Sequence, residues 1–95
     1  MRVICVAKRD PNAPAESFAE LADAESQTAM RFAVDDFVRE IYSIADGSGA
    51  VIIVEAESAE AAKAKLSELP FVKAGLLTID YVPVKAYRAL AKLAG

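Results

Sequence analysis

Glu25 is the side chain whose type and position best fit acid–base chemistry. It falls about 20° from Phe18 at 100° per residue, in the middle of an apolar helical stripe. A carboxylate that faces a sheet is costly unless it is paired or lines a cavity, and burial raises its pKa towards that of a general base. Glu25 is therefore the candidate catalytic residue. The alternatives are that the helix bends or that Glu25 lies at a solvated rim.

Three further candidates, for substrate binding, lie on predicted edge strands. Arg39 is the candidate for holding an anionic ligand, because a guanidinium pairs with a carboxylate through two hydrogen bonds. Strand alternation predicts that Arg39 and Glu40 point to opposite faces, and solvated edge-strand charges are the alternative for both. Tyr42 and Tyr81 are each a candidate hydrogen-bond donor in a pocket, with ordinary core or interface packing as the alternative.

Several kinds of chemistry are excluded by residue types that are missing or rare. The chain has no histidine and one cysteine, which removes Ser-His-Asp and Cys-His catalysis, His-ligated haem or zinc, and thiolate metal sites. Cys5 lies in an apolar run and is expected to be a buried structural thiol instead of a reactive one. Gly47-x-Gly49 is expected to form a turn, not a phosphate-binding loop. We therefore expect no metal and no cofactor.

The overall composition bounds the partners and the location of the protein. With 95 residues, a net charge of −3 and 55% hydrophobic residues, the chain is expected to form one domain that does not bind nucleic acid. No apolar stretch reaches the roughly 18 residues that span a membrane. Met1-Arg2 leads directly into a strand pattern, without a visible signal peptide. A soluble, cytoplasmic protein is the expectation.

The hydrophobic periodicity predicts the element order β-α-β-β-α-β, the ferredoxin-like α+β arrangement with two helices on one face of a four-stranded antiparallel sheet. A short C-terminal helix is predicted to follow. The predicted elements are a strand over Arg2–Ala7, a helix from Pro14 to about Asp36, hairpin strands over 38–45 and 50–56, a helix from Ser58 that Pro70 ends, a strand over Leu76–Val82 and a helix within Val84–Ala94.

The two nearly all-apolar strands, the first and the third, are predicted to occupy the middle of the sheet. Two helices cover only one face of a four-stranded sheet. Central strands that are apolar on both faces therefore need a second cover, and another copy of the same sheet would supply it. We expect a homodimer that packs sheet to sheet, with the C-terminal helix as an additional contact.

Between residues 37 and 83, the chain also matches a known family in its hairpin, its helix cap and the end of its second predicted helix. The matching residues are Arg39, Ile44-Ala45, Ser58 with Glu60-Ala61, and Leu69-Pro70-Phe71. In these features the chain resembles the muconolactone isomerase-like family of dimeric α+β barrels, which is related to the YciI-like proteins. The resemblance implies face-to-face dimers and larger rings such as decamers. It also implies a proton and double-bond shift in an unsaturated lactone carboxylate, without metal or organic cofactor.

Three functional hypotheses follow. The first is a cofactor-free isomerase or lyase in which Glu25 moves a proton, Arg39 holds a substrate carboxylate, and Tyr42 or Tyr81 donates to the enolate oxygen. The second is a non-catalytic oligomeric module that binds a small molecule or acts as an accessory protein. The third is a cofactor-independent monooxygenase of the same barrel superfamily. The first hypothesis predicts that Glu25 and Arg39 open onto one cavity between the first helix and the sheet.

Overall fold

The computed structural model describes residues 1–94 and has the predicted order of strands and main helices. One element is additional. The predicted second helix ends at Leu66, and Pro70 begins a separate short helix. A proline is tolerated there because the N–H of the first helical residue has no partner within the helix. The elements are β1 Arg2–Arg9, α1 Ala15–Val34, β2 Val38–Ser43, β3 Gly49–Glu55, α2 Ala59–Leu66, α3 Pro70–Lys73, β4 Leu77–Val84 and α4 Arg88–Ala94.

The antiparallel sheet has the strand order β2-β3-β1-β4, which confirms that the first and third strands are central. Strand alternation turns one side of each central strand towards the helices. The buried side chains on this side include Val3, Cys5, Ile52 and Val54. They pack with Phe32 from α1 and Leu66 from α2 into one core. The fold is therefore the ferredoxin-like α+β fold that the sequence predicts.

Asp36 ends the first helix, as its position in the sequence predicts. Its φ of 62° places it in the left-handed region, and its N–H donates to the Ala33 carbonyl at 3.1 Å while the Phe37 N–H donates to the Phe32 carbonyl at 3.0 Å. These two bonds form a Schellman motif. The Phe32 and Phe37 rings meet edge to face at 5.3 Å, so the turn into β2 is held by an apolar contact as well.

Strand β2 contains a β-bulge at Arg39, which bears on the prediction for this residue. Val38 pairs with Val54 and Glu40 pairs with Ile53, so Arg39 is the extra residue between the two pairs. Strict alternation does not apply across a bulge. The alternation from which Arg39 and Glu40 are predicted to point to opposite faces is therefore interrupted at Arg39.

The sheet face opposite α1 and α2 carries an apolar surface that the described residues leave uncovered. Cross-strand register puts Tyr42 at one edge of this face, where it is 55% exposed. Charges of both signs surround the apolar centre, with Lys8, Glu40 and Asp80 on the same face by register. We call this surface the open sheet face; its apolar centre is formed by Ile4, Val6, Val51, Ile53 and Val82.

The segment around α4 also exposes large apolar side chains. Tyr87, just before the helix, and Leu90 and Leu93 within it are exposed, with Leu93 at 86%. Within residues 1–94, no helix combines the length and the apolar character needed to cross a membrane.

Candidate functional site

A cavity of about 220 Å³ lies between helix α1, the α2–α3 region and the hairpin half of the sheet. The volume is below the roughly 300–1,000 Å³ of sites for drug-sized ligands, so it suits a smaller molecule. Ile41 and Ser43 of β2, both exposed, contribute to its lining. Most of the wall is apolar and includes Ala29, Phe32, Ile52, Leu66, Leu69 and Phe71.

Glu25 places a carboxylate in this cavity from the middle of α1. Its Oε1 accepts a hydrogen bond of 2.9 Å from the backbone N–H of Phe71, the second residue of α3. Leu69 precedes α3 without a side-chain capping bond, so Glu25 satisfies an N–H that a local cap would otherwise satisfy. The contact joins residues 46 positions apart in the sequence and fixes where the carboxylate sits.

The pKa of the Glu25 carboxyl is raised above its ordinary value. Burial is the larger cause, because it disfavours the charged form, and the hydrogen bond from Phe71 opposes it. A carboxylate with a raised pKa is a stronger base once it has lost its proton. Glu25 is thus suited to accept a proton and to return it.

Arg9 brings a positive charge to the same cavity. Its guanidinium carbon lies 4.7 Å from the centre of the Phe18 ring, a cation–π geometry. The Phe18 ring in turn meets Phe71 edge to face at 5.3 Å. Sequence reasoning missed Arg9, although the alternation that places Val3 and Ala7 on the helix side of β1 also places Arg9 there.

Two hydroxyls and one glycine complete the polar lining. Ser26 follows Glu25 on α1, Ser43 ends β2, and Gly49 begins β3. A Cβ atom at Gly49 would overlap the carbonyl oxygen of Ala7 on the neighbouring strand. Glycine is therefore required for β1 and β3 to approach this closely beside the cavity.

The other sequence candidates lie elsewhere. Arg39 is not among the residues that line the cavity. Tyr42 lies on the open sheet face and donates to Glu40 Oε1 at 2.7 Å; the hydrogen bond and the negative charge of Glu40 raise the pKa of Tyr42. Tyr81 is partly buried on the helix side of β4, where burial and then Cys5 raise its pKa, and it does not line the cavity. The structure therefore brings Glu25 together with Arg9, not with these three residues.

Metal ligands are not clustered in the part of the chain that the structure describes. No group of three or more His, Cys, Asp or Glu side chains among residues 1–94 is placed to hold a metal ion. The charged and hydroxyl side chains among the residues that line the cavity are Arg9, Glu25, Ser26 and Ser43.

Two solved structures share the fold at a TM-score of 0.75 and 18% sequence identity. One is 5-chloro-2-hydroxyhydroquinone dehydrochlorinase from Burkholderia phenoliruptrix in complex with 2,5-dihydroxybenzoquinone, with 94% of this chain and 98% of that chain covered. The other is muconolactone isomerase, with 94% and 93% covered. No protein-family model and no curated protein sequence matches the chain. The chain therefore has the muconolactone isomerase-like fold, which is the ferredoxin-like α+β fold of both solved structures.

Proposed function

We propose that the protein is a cofactor-free isomerase or lyase that moves a proton in a small unsaturated carboxylate or lactone. The observation that carries the proposal is the position of Glu25, a carboxylate with a raised pKa in a small, mostly apolar cavity. Two structural neighbours, whose names describe a dehydrochlorinase and an isomerase, support the proposal of an isomerase or lyase.

The proposed reaction begins when Glu25 removes a proton from a carbon next to the substrate carbonyl. The electron pair moves to the carbonyl oxygen, and the Ser26 and Ser43 hydroxyls, which line the cavity, are the proposed donors to that enolate. An isomerase returns the proton from Glu25 to the far end of the conjugated system. A lyase instead uses the electron pair to expel a leaving group, and Glu25 then releases the proton to water.

Solvent proton exchange tests the proposal directly. Unsaturated lactones and substituted hydroquinones are incubated with the protein in D2O, and loss of the substrate C–H signal is followed by NMR. Glu25→Gln is expected to slow exchange by about 10²–10⁴-fold, the usual contribution of a general base. Glu20→Gln, an exposed glutamate on the same helix, is the matched control with unchanged exchange. Wild-type exchange rates in Glu25→Gln would contradict the proposal.

A non-catalytic binding module is the second candidate, and one observation favours it. The hydrogen bond from Phe71 gives Glu25 a structural role that needs no reaction. For this candidate we expect a compound of the same set to raise the melting temperature, since binding stabilises the folded state, while no C–H signal is lost in D2O. Exchange that Glu25→Gln abolishes would eliminate this candidate.

We also propose that the protein forms a homodimer through the open sheet face. A second copy fits this face because the apolar centre is surrounded by charges of both signs, so Lys8 of each copy can meet acidic groups of the other. Ile53→Lys, at the apolar centre, is expected to give a monomer in sedimentation experiments. Val34→Lys, at an 80% exposed position on α1, is the control that leaves the dimer intact. A wild-type monomer at micromolar concentration would reject the dimer.

A further inference from the structure

We infer that Arg9 anchors the negatively charged group of the ligand, so that the cavity selects small unsaturated monoanions. The inference concerns the same cavity as the proposed function and rests on it for the reaction. It assigns the anion-binding role to Arg9 at the end of β1, whereas the sequence alone indicates Arg39.

The charge of Arg9 is available to a ligand. Its guanidinium has no carboxylate within ion-pair distance in the described part of the chain. The neighbouring Asp10 carboxylate accepts a hydrogen bond from the backbone N–H of Asn12 at 2.9 Å. The guanidinium of an arginine that lines a small cavity and has no carboxylate partner can form two parallel hydrogen bonds to a carboxylate.

The position of Arg9 is set by its surroundings. The backbone N–H of Arg9 donates to the Ser48 carbonyl at 2.9 Å, which fixes the end of β1 against the hairpin. The guanidinium also lies over the Phe18 ring, and this cation–π contact restricts its position. A guanidinium has five N–H donors, so it can hold this contact and still donate to a ligand. The anion site is therefore partly preorganised.

The cavity has one positive and one acidic group among its described lining residues, Arg9 and Glu25. A bound anion is attracted to Arg9 and repelled by ionised Glu25, so it binds with its charge at the Arg9 end. The uncharged, unsaturated part of the ligand then faces Glu25 and the apolar wall. This orientation places a carbon atom, not the carboxylate, next to the proposed base.

Benzoate and its neutral isostere benzamide separate the role of charge from that of shape. Their affinities are measured by NMR titration of the wild type and four variants, with circular dichroism as the folding check. The variants are Arg9→Gln, Arg9→Lys, Arg31→Gln and Arg39→Gln. Arg9→Gln is expected to weaken benzoate binding at least tenfold and benzamide binding less than twofold. Arg9→Lys should restore part of the affinity, because it keeps the charge without the planar fork. Arg31→Gln, which removes an exposed arginine outside the cavity, should have no effect.

Three results would overturn the inference: no benzoate binding to the wild type, equal benzoate affinity in Arg9→Gln, or a loss that occurs in Arg39→Gln instead. If Arg9→Gln does not fold, the test rests on Arg9→Lys. A benzoate affinity equal to that of the wild type would then show that the two parallel guanidinium hydrogen bonds are not used. The proposed function fails independently, because exchange in D2O depends on Glu25. Benzoate binding that requires Arg9, together with no exchange on any compound, would reject the reaction and retain the anion site.

Discussion

Replacing Glu25 tests whether its carboxylate holds helix α3 in place. Glu25→Ala removes the acceptor for the Phe71 N–H, whereas Glu25→Gln keeps an oxygen acceptor of nearly the same size. The two variants lose the same ionisable group. The difference between their free energies of unfolding therefore isolates the hydrogen bond and the volume of the side chain.

The expected difference follows from the geometry. The 2.9 Å bond reaches a partly buried N–H, and α3 has no side-chain cap of its own. A buried donor left without a partner costs about 1–3 kcal/mol. Glu25→Ala should therefore be less stable than Glu25→Gln by that amount. For a domain of this size, each kcal/mol lowers the melting temperature by about 4–8 °C.

The pH dependence has a defined sign. The pKa of Glu25 is raised in the folded state from an ordinary value of 4.5, mainly by burial. Its contribution to stability is then fully present below pH 4.5 and is lost as the pH rises through the folded pKa. The wild type should therefore lose stability relative to Glu25→Gln as the pH increases from about 4 towards neutrality. The difference between their free energies of unfolding should become constant above the folded pKa.

Urea unfolding followed by circular dichroism measures both effects, at one fixed protein concentration because self-association would change the apparent stability. Glu20→Gln on the exposed side of α1 is the control for the pH series. Equal stabilities of Glu25→Ala and Glu25→Gln would refute the capping role. If the wild type instead gains stability relative to Glu25→Gln as the pH rises, the raised pKa of Glu25 is refuted.

Three further predictions concern positions where the structure departs from ordinary geometry or reactivity. Gly49→Ala should destabilise the protein by about 1–3 kcal/mol in urea unfolding, because the new Cβ overlaps the Ala7 carbonyl; an unchanged midpoint would show that the strands can separate. Asp36→Gly should stabilise it by up to about 1 kcal/mol, since glycine adopts a φ of 62° without strain, and a loss of stability would contradict this. Burial raises the pKa of Cys5 to about 11, so a thiol reagent at pH 8 should label it only after unfolding, and rapid labelling of the native protein would refute its burial.

The fold was predictable because its signals are local. Asp46-Gly47-Ser48-Gly49 separates two strand patterns, and the Ser58 hydroxyl accepts from the Ala61 N–H at 3.0 Å, as expected for an N-cap. The difference in polarity between the strands was enough to assign each strand to the centre or the edge of the sheet. Helix α3 was missed because a proline that ends one helix also suits the first turn of the next, and only the chain after Pro70 distinguishes the two cases.

The site was less predictable because it depends on register. Glu25 stands out in the sequence as a charge on an apolar stripe. Arg39 could not be placed, because the bulge that breaks alternation at this residue appears only in the pairing with β3. Arg9 follows the alternation of β1, but nothing in the sequence shows that Phe18 lies beside it. Tyr42 and Tyr81 are both edge-strand tyrosines, and only the cross-strand pairs assign them to opposite faces of the sheet.

Both edges of the sheet are poor templates for adding another strand. The bulge at Arg39 interrupts the regular ladder of β2, and Pro83 gives β4 a position without an N–H donor. Fibre-like growth needs a long, regular row of free N–H and C=O groups, and the bulge and the proline each interrupt this row. The chain thus combines an apolar sheet face with edges that resist strand addition. The proposed homodimer would cover the apolar face, and edges that resist strand addition would then favour this closed assembly over amyloid-type fibres.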